Sequence, residues 1–145
     1  VSTEQRYDAT VEQFDQADIT ILCAAVADFR PKTKATEKIK RHDKNLILEL
    51  EPTTDIACEL GKRKRDGQRL VGFALETHNE QSNAQQKLER KNLDMIVLNS
   101  LRDEGAGFGY DTNKVSLIFA DHSIDCPLKT KQQVATDIID AIQRL

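Results

Sequence analysis

Apolar residues recur along this chain in two alternating rhythms, short near-continuous runs and longer stretches at helical spacing. Ser2 or Thr3 can cap a helix running to about Gln16, with Val11 and Phe14 supplying part of its apolar stripe. The run Ile19-Thr20-Ile21-Leu22-Cys23-Ala24-Ala25-Val26 predicts a strand covered on both faces, as in parallel sheets. A polar stretch from Asp28 to Asn45 follows, interrupted by Pro31, and Leu46 to Leu50 reads as a short strand. Thr53 or Thr54 then caps a predicted helix to about Arg65, which Gly67 ends. Leu70 to Leu75 is another buried strand, Asn79 to Lys91 a helix, and Met95 to Leu98 a third buried strand. A loop from Asn99 to Asn113, rich in glycine at Gly105, Gly107 and Gly109, leads into a strand from Val115 to Phe119. Lys129 to Leu145 forms a terminal amphipathic helix on Val134, Ile138, Ala141 and Ile142.

Strands alternating with helices of this length point to βαβ units with right-handed crossovers. The expected fold is α/β, a single domain over 1–145, with a three-layer Rossmann-like, mostly parallel sheet and helices on both faces. One feature is unusual for such a domain. Its first strand-to-helix turn ordinarily holds ligand phosphate at a helix N-terminus, and this chain opens on a helix instead. The expectation is a domain truncated at the N-terminus.

The net charge of −3 excludes the broadly basic surface of a nucleic-acid binder, and no apolar run approaches the length of a membrane span. The start, rich in Glu, Gln and Asp, has neither the basic opening nor the apolar core of a signal peptide. Cys23, Cys58 and Cys126 are odd in number and form no CxxC pair, which disfavours a disulfide framework or zinc site and places the chain in the reducing cytoplasm. The histidines are equally scattered.

Three segments carry candidate chemistry. In Ala24-Ala25-Val26-Ala27-Asp28-Phe29-Arg30-Pro31, small residues permit close approach of a ligand, and Asp28 stands at the strand's end. Its carboxylate can accept from a ribose or base, or help hold hydrated magnesium; alternatively it caps a turn before Pro31. Glu37-Lys38-Ile39-Lys40-Arg41 reads as a solvated loop, or as a phosphate-binding point charge on a closing flap, the loop from Asp28 to Asn45 then being expected to be mobile without ligand. Lys87 and Lys91, at i and i+4, share one helix face with no acid four residues to either side, so an anion could relieve their repulsion, or they are ordinary surface lysines.

The order of these segments resembles the phosphopantothenoylcysteine synthetase domain, usually the C-terminal half of a bifunctional bacterial flavoprotein. The resemblance is carried by Ala24 to Pro31, Glu37 to Lys40, Thr54-Asp55-Ile56, Val71-Gly72-Phe73-Ala74-Leu75-Glu76-Thr77, Lys87-Leu88, Lys91-Asn92-Leu93-Asp94, Asn99, and Phe108-Gly109-Tyr110-Asp111-Thr112-Asn113. It implies a phosphopantothenate–cysteine ligase of coenzyme A biosynthesis, in which CTP activates the 4'-phosphopantothenate carboxylate and L-cysteine attacks the acyl-cytidylate. It implies nucleotide contacts at Asp28, Lys38, Thr54, Asp55, Ile56, Ala57, Phe73, Lys87 and Lys91, with Lys38 as catalytic lysine. Substrate contacts are implied at Ala24, Ala25 and Asn99. Mg2+ accompanies CTP with no side chain assigned as its ligand, FMN enters only if a decarboxylase is fused upstream, and the enzyme is a homodimer. Thr54 stands where the family usually has proline, which puts the path of that turn in question. A Gly-rich turn and an Asn-containing segment are expected before Val1, so this chain alone is expected not to complete the reaction.

Two other readings are open. Tyr110 and Lys114 reproduce the Tyr-x-x-x-Lys spacing of short-chain dehydrogenases, but the surrounding glycines predict a turn entering a strand rather than the helix that chemistry needs. A non-catalytic module could instead dimerise by pairing the strand Val115 to Phe119 with a second copy.

Overall fold

Alternate residues of the central strands enter two separate apolar cores, one on each face of a five-stranded sheet. The computed structural model describes residues 2–41, 45–76, 78–100 and 109–145; Thr77, Gly105, Gly107 and Phe108 lie outside the described residues. The elements are α1 (Thr3–Phe14), β1 (Ile19–Leu22), β2 (Phe29–Pro31), β3 (Leu50–Pro52), α2 (Ile56–Arg63), β4 (Arg69–Glu76), α3 (Glu80–Arg90), β5 (Met95–Ser100), β6 (Thr112–Asn113), β7 (Val115–Ile118), β8 (Ser123–Asp125), β9 (Lys129–Thr130) and α4 (Lys131–Ile142). Sheet order is β1-β4-β5-β7-β8.

One core joins Leu70 and Ala74 of β4 and Ile96 and Leu98 of β5 to Phe14, Ile56, Leu60, Ala84 and Leu88 from α1, α2 and α3. The other joins Val71, Met95, Val97, Val115 and Leu117 to Val134, Ile138, Ala141 and Ile142 of α4. The period of two in the strands and the helical spacing in α4 therefore explain the layers directly. Leu60 is fully buried, a contribution of about 2 kcal/mol for a side chain of its size.

The sheet is mixed, not mostly parallel: β1–β4 and β4–β5 are parallel, and β5–β7 and β7–β8 antiparallel. Parallel neighbours require a crossover, which α3 supplies between β4 and β5. The link from β7 to β8 is a tight turn closed by the Phe119 N–H donating to the His122 carbonyl at 2.9 Å, and it can only reverse the chain. Because β7 lies between β5 and β8, both of its edges are occupied, and it has none left to offer a second copy.

Three sequence expectations shift. β1 stops at Leu22 and is an edge strand, with Ile19 and Ile21 49% and 37% exposed, because α4 lies over β5 and β7 rather than over β1. The strand expected at Leu46 moves to Leu50–Pro52, where it pairs antiparallel with β2, while Ile47 is 89% exposed. The cap of α2 is Asp55, whose carboxylate accepts from the Cys58 N–H at 3.1 Å, and not Thr53 or Thr54. Thr53 is used elsewhere: its hydroxyl donates to the Ala27 carbonyl at 2.6 Å and its N–H to the Asp28 carbonyl at 2.9 Å. Ser2 caps α1 as expected, in a reciprocal capping box with Gln5. Buried Gln68 then fastens the end of α1 to β4, its amide donating to the carbonyls of Phe14 and Ala17, both at 2.8 Å.

Candidate functional site

Small side chains after β1 leave room for a cavity of about 640 Å3. Its walls are the loop Cys23–Asp28 after β1, the turn Thr53–Ala57 entering α2, the end of β4 around Phe73, and side chains from α1 and α3. Openings beyond the carboxyl ends of parallel strands are where ligands sit in such sheets. The Thr53 bonds to Ala27 and Asp28 clamp two of these walls together.

Ala24, Ala25, Asp28, Thr54, Asp55, Ile56, Ala57, Phe73, Lys87 and Lys91 all line this cavity. Two expected residues do not. Lys38 is exposed on the polar segment beyond β2 and lies outside the cavity walls, since no apolar side chain of that segment anchors it to a core. Asn99 also lies outside them; its side-chain oxygen accepts from the Asn113 amide at 3.0 Å, tying β5 to β6.

Neither helix lysine is left with an unrelieved like charge. Lys87 Nζ donates to Glu76 Oε1 at 2.6 Å, and Lys91 Nζ lies 3.0 Å from Asp55 Oδ2. The sequence showed no acid four residues from either lysine, and both partners come from other elements. Partial burial opposes the charge of Asp55, but the Cys58 N–H and the Lys91 ammonium outweigh it and hold the carboxyl below its ordinary pKa. Glu76 behaves alike: desolvation opposes its charge, and donation from Lys87 and Asn83 prevails.

Lys91 is fixed by backbone as well. Asn92, at φ 50°, follows α3 in the left-handed region, and its amide donates to the Gly61 carbonyl at 2.8 Å. A Cβ on Gly61 would stand 1.9 Å from the Lys91 carbonyl oxygen, so glycine alone permits this approach of α2 to α3.

Sequence reasoning missed Arg6 and Thr10, which reach the cavity from α1. The Thr10 hydroxyl donates to the Arg6 carbonyl at 2.7 Å, and the Arg6 guanidinium has no hydrogen-bond or ion-pair partner among the described residues. Their i, i+4 spacing was visible, but nothing in the sequence told which face of α1 meets the opening. Tyr110 precedes β6 and Lys114 lies between β6 and β7, so this pair does not share a helix face. The arrangement as a whole offers cations, a helix N-terminus and an apolar ring wall, groups suited to a phosphorylated ligand with a flat base.

Residues 1–145 match the family described as DNA/pantothenate metabolism flavoprotein C-terminal domain. The chain belongs to this family. A protein of an unknown prokaryotic organism, named cysteine/cysteine sulfinic acid decarboxylase, is 55% identical over 145 residues, 99% of this chain and 40% of that one. The coenzyme A biosynthesis bifunctional protein CoaBC of Bacillus subtilis is 45% identical over 139 residues, 95% of this chain and 34% of that one. The chain thus spans roughly a third to two-fifths of these curated relatives. A crystal structure of the C-terminal domain of a CoaBC protein is similar at TM-score 0.77 and 39% identity, covering 99% of this chain and 64% of that one. The DNA/pantothenate metabolism flavoprotein from Streptococcus pneumoniae shares the fold at TM-score 0.80 and 18% identity, covering 99% of this chain and 70% of that one. The family membership thus agrees with the resemblance carried by the sequence motifs.

Proposed function

We propose that this domain belongs to a phosphopantothenate–cysteine ligase of coenzyme A biosynthesis, with CTP as the activating nucleotide. The observation that carries the reading is the gathering of Asp28, Phe73, Lys87, Lys91 and the entry to α2 around one cavity, in a chain whose family relatives include CoaBC proteins. In the first half-reaction a carboxylate oxygen of 4'-phosphopantothenate attacks the α-phosphorus of CTP, and the bond to pyrophosphate breaks. In the second, the cysteine amine attacks the acyl carbon, CMP leaves with the bonding pair, and the amine loses a proton.

Both steps place negative charge on phosphate oxygens, which positioned ammonium groups and helix N–H groups stabilise. Lys87 and Lys91 would face the polyphosphate, Asp28 the sugar or base, and Phe73 would lie against the nucleotide. Thr54, Asp55, Ile56 and Ala57 would supply the turn beneath it, and Ala24, Ala25 and Asn99 would meet the acid substrate. Lys38 would act only once its segment folds over the opening. Mg2+ would be carried by phosphate oxygens and water. A homodimer is part of the proposal, and light scattering on the full-length protein tests it.

The test is release of CMP and pyrophosphate by the full-length protein, which should require both cysteine and 4'-phosphopantothenate. CTP should bind in calorimetry where NADPH does not. The name of the 55% relative favours a second reading, loss of CO2 from cysteine. Cysteine labelled in its carboxyl carbon and supplied without CTP or 4'-phosphopantothenate separates them: decarboxylation of free cysteine still releases labelled CO2, whereas under the ligase reading the label stays on cysteine until both co-substrates are added.

A further inference from the structure

We infer that Glu76 is a positioning residue that holds the Lys87 ammonium in one orientation toward the polyphosphate of the bound nucleotide. The inference rests on the ligase reading above. Glu76 is the last residue of β4, and its side chain is only 13% exposed. Lys87 Nζ donates to its Oε1 at 2.6 Å, and the Asn83 amide donates to its Oε2 at 3.2 Å. The same Asn83 amide donates to the His78 carbonyl at 3.0 Å. Both carboxylate oxygens are therefore held, one through a side chain itself anchored to backbone.

An ammonium group has three donors on a flexible four-carbon stem, so by itself it follows a phosphate wherever that moves. Fixing one donor on Glu76 aims the remaining two. A cation held in place stabilises charge that develops at one point, and so acts on the transition state more than on the bound ground state. The same carboxylate also subtracts from the positive field that draws in the triphosphate. Loss of the Glu76 charge therefore has opposite effects on two measured quantities. Lys87, released, attracts CTP more strongly but is no longer aimed.

The experiment uses the full-length protein, with CMP release and CTP calorimetry as readouts. Glu76→Gln should lower kcat about tenfold, the worth of one oriented charge-assisted hydrogen bond. It should also tighten CTP binding about threefold through removal of a neighbouring negative charge. In a Lys87→Met background, where only the direct repulsion by the carboxylate is removed, the same change should tighten CTP binding by distinctly less. An unchanged kcat, weaker CTP binding, or an equal affinity shift in both backgrounds overturns the inference. If Glu76→Gln does not yield folded protein, Asn83→Ala loosens the carboxylate while keeping both charges. It should lower kcat about threefold with CTP affinity unchanged, and an unchanged kcat overturns the inference there too. Wild-type protein that binds no CTP overturns the ligase reading itself, so the two failures are distinguishable.

Discussion

Lys91 and Asp55 join the end of α3 to the start of α2: the ammonium lies 3.0 Å from Oδ2 and 3.1 Å from Oδ1 of the carboxylate. The same carboxylate caps α2 by accepting from Cys58. One side chain thus fixes the helix end that faces the cavity and the cation beside it.

Asp55→Ala should cost about 1 kcal/mol of stability, the usual worth of an N-cap, and Asp55→Asn distinctly less because the amide oxygen can still cap. Urea unfolding midpoints measure both. The pH dependence has a definite sign. The folded pKa of Asp55 is lowered, so its stabilisation is complete above the ordinary carboxylate value of about 3.9 and fades as pH falls through the lower folded value. Asp55→Asn should accordingly flatten the fall in stability below about pH 4.

Gly61→Ala should destabilise by about 2 kcal/mol despite alanine's better helix propensity, because the added methyl meets the backbone of Lys91 at 1.9 Å from oxygen and 2.8 Å from carbon. Thermal unfolding is the check. A stabilised variant would mean that α2 and α3 do not approach as closely as described.

On the proposed ligase function, Lys38→Ala should lower kcat of the full-length protein on the order of 100-fold, the scale of losing one transition-state donor, with little effect on CTP affinity. The split follows from its place outside the cavity walls. A loss confined to CTP binding would assign Lys38 to ground-state attraction instead.

Arg6→Gln should weaken binding of an anionic ligand about fivefold, since its guanidinium lines the cavity without an acidic partner among the described residues. Calorimetry with CTP and with 4'-phosphopantothenate shows which of the two it serves. Unchanged affinity for both would place Arg6 outside ligand contact.

Much of the fold was legible because local rules sufficed. Leu70–Leu75 and Met95–Leu98 are apolar runs that suit strands covered on both faces, and Ser2 is a residue type that caps helices. The direction of β7 was not legible, because it depends on which neighbour the strand meets and not on its composition. Likewise the tie between Thr112–Asn113 and Lys129–Thr130 links residues far apart in the chain. At the cavity, the motif residues Asp28, Phe73, Lys87 and Lys91 could be named in advance. Their partners could not: Glu76 reaches Lys87 from a strand end and Asp55 reaches Lys91 from another helix. Asp55 was also hidden by Thr53 and Thr54, two good capping residues just before it, one of which turned out to hold the β1 loop.

The uncovered side of β1 has a consequence for handling the isolated chain. Ile19 and Ile21, together with Phe73 and Leu75 of β4, leave a greasy strip beside a strand edge that is unpaired among the described residues. Such margins recruit further strands, so concentrated samples should turn cloudy on warming sooner than the urea midpoint would foretell. A lysine in place of Ile19 should keep them clear.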